Sequence, residues 1–265
     1  MKKLLIVSLT AFLALQNTLV SQEIITNPAR SDGFGAQFQT VIYSAILAEL
    51  SGKEFRYTPF KEMEHNYNND PEFIQKKENL INFIGNFKIN TDATIQAKTN
   101  VGDVITFYER NLKECENSAA LKRIKKIFRA NKNKSDYFDD NHFHIAMHVR
   151  RPNAHDSRIA GADTPDQVHL DAMSHLRSVY SSKKLLFHIF SQGDIETFKS
   201  IYKGDDIVLH INEPIETTFA SMVFADALVT TSSSFSHCAG VLSEGTVYYI
   251  PFWHPPLPSW ILLKS

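Results

Sequence analysis

Two adjacent arginines, Arg150 and Arg151, close a short apolar run, Phe143–Val149, and are followed by Pro152-Asn153. The run reads as a buried strand, and Pro-Asn as the turn that stops it. Guanidinium forks match phosphate oxygens in bidentate geometry and keep their charge at any physiological pH. A cationic pair at the C-terminal mouth of a parallel strand stands where open α/β sheets bind ligands. Arg150 and Arg151 therefore read as a clamp for a phosphorylated ligand. The alternative is a strand end carrying two solvated arginines, a common and inert arrangement.

Two further strand ends carry polar groups. The strand 184–190 runs into Ser191-Gln192-Gly193-Asp194, and the strand 227–230 into Thr231-Ser232-Ser233-Ser234, directly before a helix at 235–242. Hydroxyls and backbone N–H groups at a helix start bind phosphate, helped by the helix dipole. Beside an arginine pair, Ser233 and Ser234 would hold a diphosphate. Asp194 could accept hydrogen bonds from a base or ribose, as acids do in nucleotide folds. Plain N-capping explains the serines and Asp194 equally well. His155 and Asp156, just beyond the arginines, are candidates for a general base. They could also merely shape the loop, with Arg158 paired to Asp156.

Nearer the N-terminus, Gly33 and Gly35 precede a helix whose Phe38, Val41, Ile42, Ala45 and Ile46 share one face. They form a tight loop whose backbone could approach a ligand closely, or a simple structural turn. The third glycine of the dinucleotide fingerprint is missing. There is no Walker lysine loop, zinc-protease helix or nucleophile elbow. No Asp-x-Asp triplet offers a metal-diphosphate clamp, so no metal is expected. His142 and His144 read as structural, and the arginines would neutralise a leaving group in place of a metal.

Strand and helix alternate regularly after residue 141. Strands are expected at 144–149, 184–190, 207–210, 227–230 and 247–250, with helices at 165–180, 195–202, 216–225 and 235–242. That alternation means an α/β fold with a parallel sheet, its polar loops gathered at the strand C-termini. The stretch 61–141 is less legible. Ser118 is placed to cap a helix through Leu121, Ile124, Ile127 and Phe128, with a solvated basic face of Lys122, Arg123, Lys125, Lys126 and Arg129. The polar tract 131–140 suggests a boundary between lobes at 22–140 and 141–265.

The chain has 265 residues, 43% of them hydrophobic, and a formal net charge of −1. That suits one large domain or two small ones, and no global basic field invites nucleic acid. Cys115 and Cys238 form neither a disulfide scaffold nor a zinc site. Lys2-Lys3, the apolar run Leu4–Leu15 and the polar end before Ser21 have the pattern of a signal peptide or signal anchor at 1–21. The expectation is a secretory or membrane-associated protein, or a cytoplasmic one if that segment is not a working signal. Asn133-Lys134-Ser135 is a sequon.

Taken together, these residues resemble the fucosyltransferases of the alpha-1,2, alpha-1,6 and protein O-linked type. Their His-x-Arg-Arg motif looks like His148-Val149-Arg150-Arg151, and their Phe-Ser-Asp-Asp strand end like Phe190-Ser191-Gln192-Gly193-Asp194. Their Ser-Ser-Phe-Ser run matches Ser233-Ser234-Phe235-Ser236, and their glycine loop resembles Gly33-Phe34-Gly35-Ala36-Gln37. The resemblance covers about Glu23 to Pro256. It implies a GT-B-like fold of two Rossmann-like lobes and an inverting, metal-independent transfer of fucose from GDP-fucose. The donor is a substrate, so no cofactor is implied; the acceptor would be a glycan or glycoprotein. Arg151 would contact the diphosphate, with Arg150, His148 and the Ser233–Phe235 run beside it. Asp194 would lie near the guanine or ribose, and Gly33, Gly35 and Gln37 would complete the donor site. This sequence departs from the pattern at Pro152-Asn153, Ala36, Gln192-Gly193 and His237-Cys238. Those departures bear on the donor sugar and the acceptor. A different GDP-sugar, or a non-catalytic glycan- or nucleotide-binding module, is the competing reading.

Overall fold

The computed structural model describes residues 23–130, 132, 134–151 and 164–263. The segment 1–21 and the sequon residue Asn133 lie outside them. The C-terminal half is an open six-stranded sheet: β3 (Phe143–His148), β4 (Leu185–Ser191), β5 (Ile207–Ile211), β6 (Ala227–Val229), β7 (Thr246–Tyr249) and β8 (Ile261–Leu262). Every pairing is parallel, in the order β5-β4-β3-β6-β7-β8. Helices α7 (Asp166–Val179), α8 (Ile195–Ile201), α9 (Ile215–Phe224) and α10 (Ser234–Leu242) connect the strands. The alternation read from the sequence is thus realised, with β8 added as a short edge strand.

Successive strand residues face opposite sides of a sheet, and the two sides differ here. Ile145 and Met147 of β3 pack with α7 and α8 through Ala172, Met173, Leu176 and Phe198. Ala146 packs on the other side with Phe219, Met222, Val241 and Leu242 of α9 and α10. Both faces are buried, which is why the strands read as near-continuous apolar runs.

The N-terminal half holds a smaller sheet, β1 (Ile24–Thr26) parallel to β2 (Glu54–Arg56), joined by α1 (Phe34–Leu50). Helices α2 (Phe73–Ile81), α3 (Ala93–Lys98), α4 (Val101–Arg110), α5 (Leu112–Asn117) and α6 (Ala119–Arg129) follow. The first four occupy the stretch that periodicity left illegible. They are short, and α3 buries no residue, so the apolar period has little length in which to show. Asp92, Asn100 and Ser118 cap α3, α4 and α6 through their side chains. No described helix is long and apolar enough to cross a membrane.

Helix α1 is the hub. Thirteen of its seventeen residues are buried, far more than a one-sided surface helix would bury. Phe38 meets Phe219 of α9 with ring centres 6.0 Å apart, and Phe219 in turn meets Phe128 of α6 at 5.7 Å. Gln39 donates towards Nδ1 of His237 on α10, 2.9 Å away. One apolar cluster therefore continues across the polar tract 131–140.

The basic face of α6 is not simply solvated. Lys122 and Lys126 are exposed, but Lys125 donates to the Ser243 carbonyl (2.8 Å) and Arg129 to that of Val223 (3.0 Å). Those carbonyls belong to the C-terminal turns of α10 and α9, where helix dipoles favour cations.

Helices α1 and α10 approach closely at Gly35. A Cβ on this residue would lie 2.4 Å from the Phe235 Cα and 2.5 Å from its amide nitrogen. Gly35→Ala is expected to push α1 off α10 and destabilise the protein by about 1–3 kcal/mol, the usual range for overpacking. The shift of the urea midpoint at unchanged slope measures it.

Candidate functional site

The chain builds outward from β3 through β4 to β5, then returns to the other side of β3 with β6. This β3/β6 junction is a topological switch point, and open α/β sheets bind ligands in the crevice beyond the strand C-termini there. The residues leaving β3 are His148, Val149, Arg150 and Arg151; those leaving β6 are Thr230 to Ser233.

Arg150 continues the face that carries Ala146 and His148. It is only 8% exposed and donates from Nη1 to the Ser232 carbonyl, 3.1 Å away. That bond places its guanidinium against the loop opening α10. Within the loop, Ser233 Oγ caps α10 by accepting from the Phe235 amide (3.2 Å), and Ser236 Oγ accepts from the Thr231 amide (3.2 Å). Thr164, just before α7, shares a hydroxyl bond with Thr231 at 2.7 Å. These hydroxyls fix the loop, while Ser234, half-buried, begins the helix. His148 lies edge-on to Phe235, ring centres 5.5 Å apart. Its Nδ1 is buried and has no hydrogen-bond partner among the described residues. Burial, then the charge of Arg150, pushes this imidazole down to about 3, so it is neutral at physiological pH.

The N-terminus of α1 meets the same loop. Gly33 caps the helix in extended conformation, and Gly35 sits in its first turn against the Ser234–Phe235 backbone. Of the two readings of Gly33 and Gly35, the contacts fit a structural turn. Gly35 is a helical residue whose missing side chain admits a second backbone, and a Cβ on Gly33 would strike the His65 ring at 2.9 Å. Gln37 is buried and donates to the carbonyls of Asp32 (2.6 Å) and Glu62 (2.8 Å), so its amide ties loops together. The consequence is electrostatic. The N-termini of α1 and α10, both positive dipole ends, converge beside a buried arginine.

Arg151 turns the other way, as the next residue of an extended strand must. Its guanidinium pairs with Asp166 at the start of α7 and lies 5.1 Å from the centre of the Phe198 ring on α8. Tyr202 donates to the same carboxylate at 2.6 Å. Burial raises the Asp166 carboxyl, but bonds from Tyr202 and Arg151 outweigh it and hold the group below its usual range. The two arginines therefore do not form one clamp: Arg150 faces the α10 loop, and Arg151 is engaged on the opposite face. Asp194 stands one strand further out, exposed, and caps α8 by accepting from the Thr197 amide and hydroxyl, both at 2.8 Å. Its loop is tied to β3: Gln192 donates to the Arg151 carbonyl (3.2 Å) and Ser191 to that of Val149 (2.6 Å). Asp194 is thus beside Arg151 but apart from the Arg150 loop. Pro152, Asn153, His155, Asp156 and Arg158 lie outside the described residues.

A groove of about 770 Å³ lies at the opposite edge of the sheet, near Phe143, Asp226 and Thr246, and contains none of these residues. Among the described residues, no three His, Cys, Asp or Glu side chains group as metal ligands.

The architecture is similar to that of solved fucosyltransferases. Fucosyltransferase NodZ from Bradyrhizobium is 11% identical, with 84% of this chain and 94% of that chain covered and a TM-score of 0.44. POFUT1 in complex with GDP is 13% identical over 86% of this chain and 98% of that one, TM-score 0.45. The E. coli heptosyltransferase WaaC with ADP is 10% identical over 91% and 90%, TM-score 0.41. The sequence matches no protein-family model and no curated protein. At identities this low, the site stands on this chain's own residues.

Sequence reasoning missed Asp166, Tyr202 and His65. The first two come from helices packed beside β3, and nothing local in sequence links them to Arg151. His65 adopts a left-handed backbone (φ 75°), unusual for a side chain other than glycine, and its ring borders Gly33. No local pattern around it signals either feature.

Asp166 has a lowered folded pKa, so its contribution to stability is present above the ordinary carboxylate range and lost as pH falls through the folded value. Asp166→Asn is therefore expected to destabilise the protein clearly at pH 7 and much less at pH 3. Chemical unfolding at the two pH values gives the comparison.

Proposed function

We propose that this protein is an inverting, metal-independent glycosyltransferase that moves fucose from GDP-fucose to a hydroxyl of a glycan or glycoprotein. The observation that carries this reading is the position of Arg150: buried, at the switch point, and bonded to the loop that opens α10, against which the start of α1 packs. A fixed cation and two helix dipoles aimed at one point suit a diphosphate, whose charge grows as the sugar departs. The order of the His148–Arg151, Phe190–Asp194 and Ser233–Ser236 motifs supports the donor assignment by resemblance.

The chemistry is a direct displacement. The acceptor oxygen forms a bond to the anomeric carbon while the bond from that carbon to the diphosphate oxygen breaks, its electron pair leaving with GDP. Arg150 and the Ser234 amide would stabilise the departing charge. His148, held neutral, would lie against the donor without adding charge. Arg151, paired with Asp166, would hold the end of β3 in place and lend a second positive charge at longer range. Asp194 would meet the base or ribose, using the carboxylate oxygen that does not cap α8. His155 or Asp156 would take the acceptor proton. A signal or anchor at residues 1–21 would put this chemistry in the secretory route or at a membrane face.

Arg150→Ala should lower transfer by about 10²–10³, the usual loss when a preorganised charge donor is removed. Arg151→Ala should have the smaller effect on turnover and the larger on stability. GDP release with GDP-fucose and a glycan acceptor panel reads the first; thermal unfolding reads the second. GDP-mannose in parallel tests the sugar, and activity surviving a chelator tests metal independence. Tight GDP binding by calorimetry without any turnover would instead identify a binding module.

A further inference from the structure

Three histidines outside the site form a continuous chain across three strands. His144 of β3, His188 of β4 and His210 of β5 point to the same face of the sheet, with exposures of 0%, 1% and 5%. His144 Nδ1 lies 2.9 Å from His188 Nε2, and His188 Nδ1 lies 2.9 Å from His210 Nε2. Each such contact has room for a single proton.

The direction of the chain follows from its end. His144 Nε2 is 2.9 Å from the Asp139 carbonyl oxygen, which can only accept. Nε2 of His144 therefore carries the proton, and its Nδ1 accepts from His188 Nε2. By the same logic, His188 Nδ1 accepts from His210 Nε2. In this arrangement all three rings share one tautomer. A further proton would leave a cation in this buried stack, or set two N–H groups against each other.

The connector between the two halves rests on this chain. Phe138 stacks on His144 with centres 4.7 Å apart and meets His188 edge-on at 4.8 Å. Tyr137 covers His210 at 4.1 Å, and Ser135 shares a hydroxyl bond with Ser221 of α9 at 2.8 Å. Among the described residues the surrounding charges are few. The Asp139 carboxylate pairs with His142 (2.8 Å) and lies 3.8 Å from His144 Nε2. The Asp226 carboxylate accepts from the His144 amide (2.8 Å). Glu213, beyond β5, acts on His210, and Asp136 with Glu213 acts on Tyr137. Helix α9 faces the connector with Ser221, and its one acid, Glu216, pairs with Lys77 instead.

We propose that the His144–His188–His210 chain is an acid-released latch, which holds the connector 135–141 on the sheet while neutral and lets it go when protonated. Folding favours the neutral rings: burial pushes His188 down to about 3 and lowers His210 as well. The sign follows. Groups with lowered folded pKa contribute full stability above the unfolded value and lose it as pH falls from about 6.5 towards the folded value. The latch is closed at pH 7.5 and weakens through the range below 6.5. It does not depend on what the switch-point site binds.

Hydrogen exchange of the whole protein, corrected for the intrinsic pH effect on exchange, tests it. Between pH 7.5 and 5.0, amides of 135–141 should lose at least tenfold more protection than those of α7. In His188→Gln, whose amide can donate and accept but not titrate, that extra loss should shrink to at most a third of wild type. Should this variant not fold, ¹⁵N-histidine NMR of the wild type decides: at pH 7.5 all three rings must be Nε2–H, with couplings across both N–H···N bridges. A different tautomer, connector protection indifferent to pH, or an unchanged pH response in a folded His188→Gln would each overturn the proposal.

Discussion

The fold turns on one backbone-to-backbone contact. Helix α1 touches the start of α10 at Gly35, a position with no space for a Cβ. That contact sets the distance between the two halves and brings two helix N-termini to one point. It also explains why α1 is buried almost all round, and why one aromatic cluster, from Phe38 through Phe219 to Phe128, crosses the connector. A side chain there would separate the two positive dipole ends.

The neighbouring arginines show how a strand divides labour. Adjacent residues in an extended chain cannot serve one ligand from one face. Arg150 takes the face of α10, where it meets the Ser232 carbonyl in the loop opening that helix. Arg151 takes the face of α7 and α8, where Asp166, Tyr202 and Phe198 hold it. The pair thus splits into a charge against the α10 loop and a fastening on the other face. The same alternation puts His144, Ala146 and His148 on the Arg150 side, so a titratable chain and a charged site share one sheet face at opposite ends of β3.

Much of the C-terminal half was legible in sequence. Buried parallel strands are short apolar runs, and the turns and caps between them are polar, so period and punctuation agree from residue 141 onward. Ser118 and Ser233 cap their helices, as their position before an apolar period suggests. The Lys61–Asn141 stretch resisted because its helices are short and one buries nothing. The basic face of α6 misled for a different reason. Its lysine and arginine reach the carbonyl ends of α9 and α10, helices more than ninety residues away in the chain.

The sequence by itself determined the α/β alternation, the polar strand ends and the residue types at the switch point, because each follows from local period and composition. Only the tertiary structure decided which arginine faces the α10 loop, that Gly35 serves a helix contact, and that three distant histidines stand within hydrogen-bond distance of one another. Those outcomes depend on which strand lies next to which, and on the face each side chain takes. Strand order is a property of the whole chain, not of any window in it.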